Sequence, residues 1–212
     1  PTVLSVTMAI GAIALAAKEA IVSKLVAIEE MAGMDILCSD KTGTITKNKL
    51  TVGEVKPLGR FTENDVLLYT VLASREEDKD PIDNSIITQT RNITALAEAL
   101  RRYKITDFKP FDPVSKRTEA TIQESNVDYF RVSKGATQAI LSLVANKGNI
   151  SGAVEGIVDS LALKGYRSLG VARTDTQGKW QFAGLIALYD PPREDSADTI
   201  KKAESMGGEV KM

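Results

Sequence analysis

Two short apolar runs near opposite ends of the chain, MDILC at 34–38 and EVKM at 209–212, constrain the fold most. Met34 to Cys38 is fit for a buried strand, and EVKM reads as the opening of another. Helix signals accompany both runs, so the two flanks are expected to form one parallel α/β domain split by an insertion. Met34 to Cys38 runs directly into the polar stretch Ser39 to Gly43, which places Asp40 on a loop at the strand's C-terminal end. Open α/β sheets bind their ligands in that crevice.

Between the flanks the patterning changes. From about Gly11 to Met31 apolar residues recur at helical spacing, with Lys18, Glu19, Lys24 and Glu29 interspersed, which predicts one long helix ending near Gly33. Its opening, PTVLSVTMAIGAIALAA, carries no charge until Lys18. That fits a buried amphipathic helix or the end of a transmembrane helix, though it falls short of the roughly 20 residues a span needs. KLTVGEVKPL reads as an extended segment leading away from the Asp40 loop. Thr62 begins a helix expected to reach Ala73, and Pro81 takes the first turn of another over IDNSIITQTRN. ITDFKPF, TEATIQ and VDYFRVS, within Ile105 to Val132, predict antiparallel strands. Helices are expected at Gly135 to Val144 and Ala153 to Leu163. RSLGVART and WQFAGLIALY predict two strands joined by the turn DTQG, and a helix is expected at Asp195 to Met206 after Pro191-Pro192.

Composition narrows the chemistry. The chain has 27 basic and 28 acidic residues, and no long basic run, which argues against nucleic acid as a partner. His is absent, so His-based triads and His-ligated metals are excluded, and the single Cys38 cannot form an intramolecular disulfide. Carboxylates, Lys, Arg, Thr and backbone groups must do the work. Asp40 suits nucleophilic attack on phosphorus to give an acyl phosphate. Thr42, Gly43 and Thr44 offer N–H groups and hydroxyls to phosphoryl oxygens, and Gly43 permits close main-chain approach. Thr42 occupies the place where a phosphatase of this plan would put a second carboxylate as acid and base. The phosphorylated state is therefore expected to persist, unlike that of a soluble phosphatase. An ordinary loop with an Asp turn remains the alternative for these residues taken alone.

CSDKTGTIT resembles the motif of P-type ATPases, DKTGT followed by an aliphatic residue and Thr, with Ile45 and Thr46 in those places. The resemblance implies that Asp40 is phosphorylated, that Mg²⁺ is held at Asp40 and by the Thr42 carbonyl, and that Lys41 and Thr44 flank the transferred phosphate. No GxxxxGK[ST] occurs. KPFDPVSKRTEA taken alone also fits a core Phe beside two solvated cations. Its likeness to the family's adenine-contacting segment implies contacts from Phe111 and Lys116. VSKGA is similar to the family's KGA motif and puts Lys134 and Gly135 at the adenine; Thr137 departs from the proline usual there. By the same resemblance KDPIDNSI gives Asp83, KGYRSLGVA gives Arg167, and DPPRED gives Asp190 and Arg193 as nucleotide contacts.

The implied fold is α/β: an incomplete HAD-like, Rossmann-type phosphorylation domain with an inserted α+β nucleotide-binding domain on an antiparallel sheet. Residues 1–32 would be the end of the fourth transmembrane helix and a stalk helix. The phosphorylation domain would take 33–57 and 189–212, and the nucleotide-binding domain 58–188. ATP and Mg²⁺ are the implied cofactors. The implied partners are the actuator and transmembrane domains of the same pump in a plasma membrane, with this segment facing the cytoplasm. PTVLSVTMAIGA, PFDPVSKR and DPPREDSADTI are most similar to the proton-pump branch. A stand-alone nucleotide-binding or regulatory module is the competing expectation.

Overall fold

The two terminal runs do pair. In the computed structural model, which describes residues 2–91, 93–124, 128–145 and 147–212, β1 (Ile36–Cys38) lies parallel to β8 (Glu209–Lys211), with Leu37 opposite Val210. The Ser39 amide extends the ladder by donating to the Lys211 carbonyl at 2.8 Å. Neither strand is buried as expected: Ile36 is 49% exposed and Cys38 is exposed. α8 (Ser196–Ser205) packs on β8 and leaves only Leu37 and Val210 half-buried. Pro1, Asn92 and Val127, which head or end predicted elements, lie outside the described residues.

The long helix expected over Gly11 to Met31 is two helices, α1 (Thr2–Ala16) and α2 (Val26–Ala32). Glu19 adopts a left-handed φ of 64°, and the Ala20 amide bonds back to the Leu15 carbonyl at 3.0 Å. A left-handed residue with such a back-bond satisfies the last carbonyls and turns the chain off the helix axis. Among the described residues no helix is long and apolar enough to cross a membrane. α1 and α2 belong with β1, the Asp40 loop and α8 to a smaller compact unit, residues 1–47 and 192–212.

The larger unit, residues 48–191, is a six-stranded sheet with helices on both faces. Its order is β2 (Thr51–Pro57), β7 (Trp180–Tyr189), β6 (Arg167–Thr174), β5 (Tyr129–Ala136), β4 (Arg117–Gln123) and β3 (Lys104–Asp112), antiparallel throughout. KLTVGEVKPL is thus the edge strand β2, and the boundary between compact units falls at 47/48 and 191/192, where 57/58 and 188/189 were expected. On one face α3 (Glu63–Leu72), α4 (Pro81–Thr90) and α5 (Thr94–Leu100) bury Val66, Ile86, Ile122, Val132, Val171 and Ile186. On the other, α6 (Thr137–Leu141) and α7 (Lys147–Leu163) close over Ile140, Leu141, Val154, Phe182 and Leu185. Each fully buried aliphatic side chain of this kind contributes about 1.5–3 kcal/mol. α5 was not anticipated, and α7 begins at Lys147, ahead of the predicted Ala153.

Local signals explain the entry angles. Thr62 caps α3 by accepting from the Asp65 amide at 3.2 Å, while Asp65 accepts from the Thr62 amide at 2.8 Å. That reciprocal pair satisfies two donors the helix leaves unpaired. Thr62→Ala should lower stability by about 1 kcal/mol, read as a shift in the denaturant midpoint at constant slope. Asp80 caps α4 without a reciprocal partner, its side chain accepting from both the Ile82 and Asp83 amides, with Pro81 at the first helical position.

Candidate functional site

Asp40 follows directly on β1, with extended backbone (φ −74°, ψ 148°) and an exposed side chain. Its carboxylate has no partner among the described residues. Beyond it the chain coils tightly. Gly43 takes φ 82°, a left-handed value that favours glycine. The buried Thr46 closes the loop: its hydroxyl accepts from the Gly43 amide at 3.3 Å and donates to the Lys41 carbonyl at 3.1 Å. The Thr46 amide bonds to that same carbonyl at 3.0 Å. Lys41, Thr42 and Thr44 are all exposed on the resulting loop. The last position of the DKTGTIT run therefore serves the loop's shape, and the first stays exposed.

Arg193 belongs to the same unit. Its amide donates to the Ile45 carbonyl at 2.9 Å, and Ser196 Oγ donates to that carbonyl at 2.7 Å. A cavity of about 190 Å³ beside the loop is lined by Ser39, Thr44, Arg193, Asp195, Ser196 and Thr199, among others. Asp190 sits in the larger unit, where its Oδ1 accepts from the Lys49 amide at 3.0 Å. Neither residue lines the cavity that gathers the other predicted contacts.

That cavity, about 540 Å³, is in the larger unit at one end of the strands. Phe111, Lys116, Lys134, Gly135, Arg167 and Asp83 all line it. Its volume suits a small ligand, and its lining is mainly apolar with a few convergent polar groups, as such sites require. Phe111 is 57% exposed, which excludes the core-Phe alternative and leaves an aromatic face for stacking. Lys116 and Arg167 make no ion pair with any described residue, so their charges are available to an anion.

Lys134 and Asp83 are different. Lys134 is 3% exposed and Asp83 4%. The ammonium contacts Asp83 Oδ1 at 2.6 Å, the Ala73 carbonyl at 2.9 Å and Thr118 Oγ1 at 3.4 Å, which uses all three of its protons. Asp83 Oδ2 accepts from the Arg75 amide at 2.9 Å. Burial pushes the Lys134 pKa down, and the Asp83 carboxylate pulls it back in part. Ala73 is the C-cap of α3, so the ammonium also meets the negative end of that helix. The pair forms the cavity's floor and ties α3, α4, β4 and β5 together.

Gly135 was expected to open a helix. It is instead the penultimate residue of β5, opposite Arg117 on one side and Gly170 on the other. A Cβ there would lie 2.3 Å from the Lys116 carbonyl oxygen and 2.6 Å from Arg117 Cα, so only glycine fits between the strands. The Ala136 amide donates to the same carbonyl at 3.0 Å. The β3–β4 hairpin that carries Phe111 and Lys116 thus rests directly on Gly135. The residue reading passed over Asp112 and Thr118; the Asp-Pro dipeptide at 112–113 was the available turn signal.

No family model matches the chain. Over all 212 residues it is 55% identical to a protein of Methanocaldococcus jannaschii described as a "putative cation-transporting ATPase", of which it spans about a quarter (26%). Among solved structures, a zinc-transporting PIB-type ATPase superposes with a TM-score of 0.71 at 22% identity, over 98% of this chain and 30% of that one. A second structure of a zinc-transporting PIB-type ATPase, in a different state, gives 0.63 at 20% identity, over 86% and 26%. At these identities the structures speak for the fold. Over its whole length the chain is similar to a quarter of the Methanocaldococcus jannaschii protein, and it shares the mixed α/β fold of a segment of the zinc-transporting PIB-type ATPase structures.

Proposed function

We propose that this chain is the ATP-binding and phosphoryl-accepting part of an ATP-driven cation pump that works through an aspartyl phosphate. The observation that carries the reading is Asp40, an unpartnered carboxylate at the C-terminal tip of a parallel strand pair on a loop bent by Gly43. In the larger unit Phe111 would stack on the adenine while Lys116 and Arg167 meet the phosphates. An Asp40 oxygen attacks the γ-phosphorus in line; the new O–P bond forms as the bridging P–O bond breaks, and the electron pair leaves with ADP. Lys41 and Thr44 would offset charge on the transferred group. Water later hydrolyses the acyl phosphate, which regenerates the carboxylate.

Mg²⁺ fits this site as an ion shared with the nucleotide. Among the described residues no cluster of three or more acidic or Cys side chains could hold a metal alone. Mg²⁺ needs only one or two protein ligands beside phosphates and water, and the Asp40 carboxylate with the Thr42 carbonyl would supply them. When bound, it neutralises repulsion between carboxylate and triphosphate. Arg193 and Asp190 are assigned to the polar end of the nucleotide on sequence resemblance.

For the transported ion we favour the proton, on the likeness of PTVLSVTMAIGA, PFDPVSKR and DPPREDSADTI to proton pumps; zinc is the cargo named for the solved neighbours. The parent protein would sit in the plasma membrane with this segment facing the cytoplasm and the remaining pump domains as its partners. The test is acid-stable labelling of the full-length protein from [γ-³²P]ATP. Wild type should take up label that hydroxylamine removes, and Asp40→Asn should reduce it to background. Label that survives the substitution sinks the aspartyl-phosphate reading.

A further inference from the structure

The β3–β4 connection, residues 113–116, is short and mostly exposed, yet it presents both Phe111 and Lys116 to the cavity. Lys116 holds a left-handed backbone (φ 52°), which a residue with a Cβ rarely adopts unaided. One side chain supports that geometry. Asp112 Oδ2 accepts from the Ser115 amide at 2.8 Å and Oδ1 from the Val114 amide at 3.3 Å. The Asp112 carbonyl takes the Lys116 amide at 2.7 Å. These contacts make a side-chain turn of the kind Asp forms with amides two and three residues on. The Ser115 amide and hydroxyl, with the Val114 amide, hold the Asp112 carboxyl below its ordinary range, so it is a full acceptor near neutral pH.

The structure assigns Asp112 as the positioning residue of the nucleotide cavity: its carboxylate fixes the 112–116 turn that aims Lys116 and holds Phe111 at the rim. This rests on the nucleotide reading above. Asp112 itself does not line the cavity, so it acts through its neighbours. The carboxylate is exposed and lies outside both apolar cores, so its removal leaves the sheet intact.

The test is a double-mutant cycle on the 212-residue chain, with affinity for a fluorescent trinitrophenyl-ATP read by titration. Asp112→Ala should weaken binding about tenfold, equivalent to about 1.4 kcal/mol, with an unfolding midpoint like that of wild type. Asp112→Asn keeps one carbonyl acceptor for the turn and should recover most of the loss. In a Lys116→Ala background, Asp112→Ala should cost clearly less than it does alone, because part of its effect passes through Lys116. Full additivity with Lys116→Ala, or an Asp112→Ala chain that binds as wild type does, overturns the assignment while leaving the nucleotide reading in place. A wild-type chain that shows no saturable binding overturns the nucleotide reading and this assignment together.

Discussion

Asp83→Ala should destabilise the larger unit by about 3–5 kcal/mol, the cost of leaving a buried charge without its partner. Lys134 would remain enclosed, with the Ala73 carbonyl and Thr118 hydroxyl as its remaining hydrogen-bond partners among the described residues, and the Arg75 amide would lose its acceptor. For a chain of this size the midpoint of thermal unfolding should fall by on the order of 10 °C. Trp180, the one tryptophan, lies on β7 in the larger unit and reports that transition. The loss should also depend on pH. Burial already holds Lys134 below its ordinary pKa in the folded state, and removing Asp83 lowers it further. The unfolded chain keeps an ordinary lysine near about 10.4, so between the two values it binds more protons than the folded chain does. Stability in that window therefore rises with pH, and the variant should regain part of its loss on going from about pH 7 towards about pH 10. An Asp83→Ala chain that unfolds like wild type but binds nucleotide weakly would make Asp83 a direct contact and not part of a scaffold.

The distinction bears on what sequence can reveal. RSLGVART and WQFAGLIALY coincide with β6 and β7 because β-branched and apolar residues fill them and the DTQG turn bounds them. α3 and α4 were legible from Thr62 and Pro81, whose roles at the helix starts are local. The break between α1 and α2 was not: periodicity continues through Glu19, and nothing nearby marks a left-handed residue. Gly135 followed by ATQAILSLV reads as a helix start, and only its strand partners Arg117 and Gly170 hold it in β5. The cavity's aromatic and free cations carried a local pattern. The Lys134–Asp83 pair did not, since its meaning is set by burial and by the C-cap of a third element. Motif reading placed both residues at the cavity but could not separate a group that meets ligand from one that holds up the floor.

Gly135→Ala should damage both stability and binding, for a reason unrelated to backbone freedom. Its φ is not in the left-handed region, so an alanine there is conformationally permitted; the obstacle is space. The added methyl would sit 2.3 Å from the Lys116 carbonyl oxygen and 2.6 Å from Arg117 Cα, and both are main-chain atoms that cannot rotate away. β4 and β5 must part, which breaks the Ala136 to Lys116 hydrogen bond and lifts the turn that Asp112 shapes. Overpacking of this kind costs about 1–3 kcal/mol, and affinity for trinitrophenyl-ATP should fall at least as far as in Asp112→Ala. Gly178→Ala is the control. It lies in the DTQG turn with φ 77° and open space around it, so it should cost about 1 kcal/mol through backbone strain and leave binding unchanged. Equal affinities for the two variants would mean that the contact between Gly135 and the hairpin does not position Lys116.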